Sequence, residues 1–129
     1  MNELIEQTQE LYEDSKNTEE RLTFIDQQIQ ELQTFKYNLD KIKHNNEQEM
    51  LAALGKGVFV RSQMKEDRFF VDVGAGVLVK KDSAQVISII DQQIMKLGEM
   101  RQQTAAYFME LHRQLETLLD KINNKEKDI

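Results

Sequence analysis

The chain is 129 residues long with a formal net charge of -6, 31% charged and 40% hydrophobic side chains, and no proline, cysteine or tryptophan. That is the length of one domain, with modest material for a globular core. The missing cysteines exclude disulfides and thiolate metal sites. The missing prolines permit long unbroken helices, because proline removes a helical donor and clashes with the preceding turn.

The acidity is concentrated at the start. Residues 1–48 hold 11 acidic and 5 basic side chains, residues 49–82 hold 5 and 6, and residues 83–129 hold 7 and 6. An acidic first segment repels phosphate backbones, which argues against nucleic acid as a partner. The N-terminus MNELIEQTQE lacks the basic and apolar regions of a signal peptide. No apolar run approaches the roughly 18 residues needed to span a bilayer. A soluble, cytoplasmic protein with no membrane contact is expected.

In chain order, residues 1–48 read as a helix. Leu4, Thr8, Leu11, Ser15, Thr18, Leu22, Ile25, Ile29 and Leu32 alternate steps of four and three, the a/d pattern of a coiled coil. The next strict position is Lys36. Apolar residues instead continue at Phe35, Leu39 and Ile42, which reads as a three-residue step that overwinds the seam. The stripe is thin and the other faces are polar, so the helix needs a partner helix.

Residues 49–82 break this pattern. They hold four of the five glycines, and here β-branched and aromatic residues alternate with polar ones. Met50 to Leu54 and Val58 to Ser62 flank Gly55-Lys56-Gly57. Phe69 to Val73 and Val77 to Lys81 flank Gly74-Ala75-Gly76. Both read as hairpins with three-residue loops in which Gly55, Gly57, Gly74 and Gly76 serve the turns. Such loops set Val73 opposite Val77, Val71 opposite Val79, Leu54 opposite Val58 and Ala52 opposite Val60, with the apolar residues on one face. Met50 to Leu54 also has the composition of a helix end. Two hairpins of this size are marginal alone, and their faces and open edges need cover. Val58, Val60, Phe69, Val71, Val73, Val77 and Val79 are therefore the candidate assembly surface, covered most simply by the same block from other chains.

Residues 83–129 read as a second helix. Asp82 with Gln85 resembles a capping box. Ile87, Ile90, Ile94, Leu97, Arg101, Thr104, Phe108, Leu111, Leu115, Leu118 and Ile122 step by three and four without a break. Helices of matched length leaving one β block imply an antiparallel pair, with Ile42 near Ile89 and Ile90, and Leu11 near Asp120 and Ile122. The fold class is α+β, mainly α: a long antiparallel coiled-coil hairpin with two β-hairpins between the helices.

Ile5, Tyr12 and Leu119 lie beside the seam near the free helix ends. With Leu4, Leu11, Leu115, Leu118 and Ile122 they make these ends more apolar than a two-helix seam requires. They read either as ordinary hydrophobes of a fraying coil or as an exposed apolar tip that grips other proteins.

Residues for catalysis do not assemble. Val73-Gly74-Ala75-Gly76 is followed by a strand, whereas a nucleotide-binding glycine loop must open a helix. His44 and His112 fall far apart in an antiparallel pair and read as surface histidines, so no metal site or cofactor is expected. Paired carboxylates such as Glu19-Glu20 lie on solvated faces. Met95, Met100 and Met109 read as seam or flank packing. The chain does not read as an enzyme.

The order helix, paired hairpins, helix, with Phe70-Val71-Asp72-Val73-Gly74-Ala75-Gly76-Val77-Leu78-Val79-Lys80-Lys81-Asp82 entering the second helix, resembles the alpha-type subunit of prefoldin, also called GimC. The resemblance covers essentially the whole chain. Two Gly-x-Gly turns favour the alpha type over the one-hairpin beta type. Val77-Leu78 departs from the aromatic residues many alpha-type members carry there. The resemblance implies a hexamer of two alpha and four beta-type subunits joined through the hairpins. Its arm tips would hold unfolded polypeptide clients without ATP and pass them to a group II chaperonin. The other reading of the same chain is a prefoldin-like scaffold or adaptor that docks one defined protein.

Overall fold

The computed structural model describes residues 2–43 and 49–127. The elements run α1 (Asn2–Lys43), β1 (Met50–Gly55), β2 (Val58–Ser62), β3 (Arg68–Asp72), β4 (Leu78–Asp82) and α2 (Ser83–Lys127). The predicted first helix to residue 48, and His44 within it, run into residues outside those described. Contacts divide the chain into two units, Met1–Gln30 with Met95–Ile129, and Glu31–Ile94. Each unit holds part of both helices.

The heptad reading holds along both helices. From Leu4 to Leu32 every predicted seam residue of α1 is buried or half-buried, and along α2 every one is except Arg101. In the unit of Met1–Gln30 and Met95–Ile129 the most enclosed side chains are Ser15, Thr18, Ile25 and Leu111. Buried hydroxyls in a seam need partners. Thr18 donates to the Asp14 carbonyl at 2.7 Å, Thr8 to the Leu4 carbonyl at 2.7 Å, and Ser15 Oγ lies 3.4 Å from His112 Nε2. These local bonds let the seam carry small polar residues without orphaned groups.

Two sequence expectations are corrected here. The seam does not step to Phe35, which is 51% exposed. Lys36 keeps the strict heptad position, half-buried, and its ammonium meets Asp91 on α2 at 2.7 Å. The antiparallel register also differs. Arg101 meets Asp26 at 2.6 Å, and Ser15 reaches His112 eleven residues further along each helix. Leu11 consequently shares a groove with Gln114, Thr117 and Leu118, not with Asp120 and Ile122. The expected pairs are displaced from these by four to six residues. An a/d stripe returns every three or four residues, so the stripe alone leaves the offset between two such helices open. The cross-helix pairs mark the one adopted.

In the unit Glu31–Ile94, Leu39, Val86 and Ile90 form a buried core, with Leu32, Phe69, Val71, Ile87 and Ile94 packed against it. Each fully buried aliphatic side chain there contributes about 1.5–3 kcal/mol relative to exposure. The start of α2 is fixed by a reciprocal cap. Gln85 N–H donates to the Asp82 carboxylate at 2.8 Å, and Asp82 N–H donates to the Gln85 side-chain carbonyl at 3.0 Å. This is the predicted capping box, and it satisfies donors that a helix start leaves unpaired.

The hairpins form two separate two-stranded antiparallel sheets, β1–β2 and β3–β4. Ala52 pairs with Val60 and Val71 with Val79 as expected. The predicted Leu54–Val58 pair is replaced by Gly55–Val58, with a register shift between Ala53 and Gly55. The loop is thus a two-residue turn on Lys56-Gly57 plus a bulge at Leu54. The second turn is built alike: Val77 N–H donates to the Gly74 carbonyl at 2.9 Å, closing over Ala75-Gly76. Positive φ at both central residues, 51° and 78° in one and 50° and 76° in the other, is the turn whose twist suits a hairpin. The added bulge preserves the strand parity that a three-residue loop would give.

Candidate functional site

The hairpins carry a large share of the exposed apolar surface. Leu51, Leu54, Val58, Phe59 and Val60 on β1–β2 are all exposed, as are Phe70, Val73, Val77, Leu78 and Val79 on or beside β3–β4. Of the predicted assembly residues, Val58, Val60, Val73, Val77 and Val79 are exposed. Phe69 and Val71 differ: they are half-buried against the chain's own core. Leu51, Phe59, Phe70 and Leu78 were missed because the sequence reading kept to one strand parity, and Leu54, though on that parity, was left out of the expected surface. The signal was present, since both parities of these strands hold large apolar side chains. Paired by only one neighbour, each strand also keeps an open hydrogen-bonding edge.

Near the start of α1 and the end of α2, two grooves flank the helix pair and differ in kind. One, of about 680 Å³, is lined by Thr8, Gln9, Tyr12, Glu13, His112, Leu115, Glu116 and Leu119. Tyr12 is 64% exposed and Leu119 49%. The other is lined by Gln7, Glu10, Leu11, Asp14, Arg113, Gln114, Thr117 and Leu118. The predicted tip residues thus separate. Tyr12, Leu115 and Leu119 come together in the first groove, Leu11 and Leu118 in the second. Leu4 and Ile122 are half-buried, and Ile5 is exposed and lines neither groove. Of the two readings for the methionines, the seam is set aside: Met95, Met100 and Met109 are at least half exposed.

Electrostatics sharpen the contrast. Beside the second groove, Arg113 donates to both Glu110 oxygens, at 2.5 and 3.0 Å, and Gln114 adds a third bond at 3.2 Å. Together they hold the Glu110 carboxyl down at about 2. Tyr107 donates its phenol to Asp14, which favours the neutral phenol and raises its pKa. In the first groove the His112 ring is held by Ser15 and the edge of Phe108. Among the described residues, Glu13 and Glu116 make no ion pair. No group of three or more histidine, cysteine or carboxylate side chains is placed to hold a metal, and no helix is long and apolar enough to cross a membrane, both among the described residues.

These features define a class: a two-helix coiled coil with two β-hairpins between the helices, its apolar surface displayed on the hairpins and beside the seam at the helix ends. The chain belongs to the prefoldin subunit family of chaperones, whose family model matches residues 5–128. Among curated proteins it is similar to prefoldin subunit alpha of Nitrosopumilus maritimus (strain SCM1), 28% identical over 80 residues. That match covers 61% of this chain and 55% of the relative, so it spans about half the relative's length. Among solved structures it is similar to a chain in the cryo-EM structure of filamentous PFD from Methanocaldococcus jannaschii. The TM-score is 0.74 at 20% identity, over 94% of this chain and 99% of that one. This likeness establishes the fold.

Proposed function

We propose that the chain is an alpha-type prefoldin subunit in an ATP-independent cytoplasmic holdase. Its hairpins join it to beta-type subunits, two alpha with four beta, and its helix ends hold non-native polypeptides for delivery to a group II chaperonin. The observation that carries this reading is the placement of exposed apolar surface: large on both faces of the hairpins, and open beside the seam at Tyr12, Leu115 and Leu119. Two-stranded sheets with apolar faces are unstable in water and call for partner strands. Two hairpins and the similarity to an alpha subunit support the alpha type. Shallow apolar contacts on several arms acting together would hold clients by avidity without a tight pocket.

Native mass measurement after mixing with a beta-type subunit tests the assembly. A mixed hexamer is expected, and a persistent monomer of this chain would contradict it. Aggregation of several unrelated denatured proteins tests the holdase. The assembled protein should suppress it, and Tyr12→Ser with Leu119→Ser should weaken suppression while the hexamer persists. Suppression unchanged by that pair would remove the helix ends from client binding. Binding of one protein only would favour the adaptor reading.

A further inference from the structure

We propose that the Tyr12–Leu119 groove selects apolar segments flanked by lysine or arginine, with Glu13 and Glu116 reading the flanking charge. This rests on the holdase reading and names the client class for that site. The groove has an apolar lining of Tyr12, Leu115 and Leu119, and Glu13 and Glu116 border it, one from each helix. Among the described residues no lysine or arginine lines it. Its histidine is occupied by Ser15 and Phe108. Among the described residues the two glutamates make no ion pair, so their charge is available to an incoming chain. Tyr12, 64% exposed, adds an aromatic face that attracts cations.

The opposite groove shows what such surface looks like when its charges are spent internally. There Arg113 is tied to Glu110 and Asp14 accepts from Tyr107, and amides and a hydroxyl make up much of the remaining lining. Glu10 alone of the carboxylates on that lining is left without a partner among the described residues, against two in the first groove. The two sides of one helix pair thus differ in both apolar area and unpaired charge. Burial of the apolar segment supplies affinity, and the glutamates bias encounter and reject acidic flanks. Two exposed charge pairs correspond to roughly three- to tenfold preference at low salt, shrinking as salt screens them.

The test uses the chain assembled with a beta-type subunit and fluorescent peptides sharing one apolar core, flanked by lysine, serine or glutamate, titrated by anisotropy. The expected order is lysine, serine, glutamate, with the lysine-to-serine ratio collapsing toward one at high salt. Glu13→Gln with Glu116→Gln should bring the lysine-flanked peptide down to the serine-flanked level. Glu19→Gln with Glu20→Gln, the same change in net charge outside the groove, should preserve the order. Equal binding of all three peptides, or a preference that survives Glu13→Gln with Glu116→Gln, overturns the selectivity and leaves the holdase reading standing. Failure of every peptide to bind overturns both.

Discussion

Hairpin β3–β4 sends Phe69 and Val71 into the core around Leu39, Val86 and Ile90, whereas Leu51, Leu54, Val58, Phe59 and Val60 of β1–β2 stay exposed and its half-buried Met50 is not part of that core. The turns of the two hairpins are near copies, with the same glycines and the same signs of φ. They differ again one step before the turn. Asp72 accepts the Gly74 N–H at 2.9 Å, while the matching position of the first hairpin is Ala53. Lys80 also bridges Glu66 at 2.9 Å and lies over the Phe70 ring. One hairpin places two side chains on the buried core and the other places none there. A shared turn therefore sets strand pairing, but anchoring is decided by which side chains the neighbouring helices can receive. The unanchored hairpin is the one whose order depends most on partner strands.

The sharpest way to break this comparison is the same substitution on both hairpins. Phe69→Ala should lower the chain's own stability by about 2–3 kcal/mol, somewhat under the cost of a fully buried phenylalanine. Phe59→Ala should stay within about 0.5 kcal/mol, as expected at an exposed site, yet weaken subunit association. Urea unfolding of the isolated chain and native mass of the mixture read the two effects. Equal losses of stability would mean both hairpins are anchored alike.

Next in size, Gly57→Ala and Gly76→Ala should each cost about 1–2 kcal/mol, since an L-residue must enter the left-handed region. Nothing lies within 4 Å of either added Cβ, so the cost is conformational and should be equal at both turns. A clear inequality in thermal shift would show that the turns are not copies. Smaller again, Asp72→Ala should cost about 0.5–1.5 kcal/mol through the lost bond to Gly74, and Ala53→Asp should return a fraction of that to the first hairpin. Thermal denaturation of the two variants measures both.

The smallest effect lies on α2 and depends on pH. Glu110 is held at about 2 against an ordinary 4.5. A depressed carboxyl stabilises the fold above its unfolded pKa, and that contribution is lost as pH falls from about 4.5 toward about 2. Helicity by circular dichroism should decline across this window, and Arg113→Gln should flatten the decline. The pair is exposed, so the change should be slight and salt-sensitive. A decline of full size in the variant would assign it to other carboxylates.

The periodicity of apolar residues was enough to read both helices, both hairpins, the seam from Leu4 to Leu32 and the cap at Asp82 and Gln85. These are local properties: a three-and-four step has only one regular helix that hides it, and a Gly-x-Gly between alternating runs has only a few turns. The candidate ends were legible as composition but not as geometry. Sequence placed eight apolar residues there; their sorting into two unlike grooves needed the helix register. Tertiary structure alone decided that register, because an a/d stripe returns every three or four residues and only pairs such as Lys36–Asp91 and Asp26–Arg101 fix the offset between the two helices. It also decided that Lys36 rather than Phe35 keeps the seam, and that Phe69 and Val71 are inside while Val58 and Val60 are not. Alternation says that a strand has an apolar face, and only the packed helices determine whether that face is covered by its own chain or left for another.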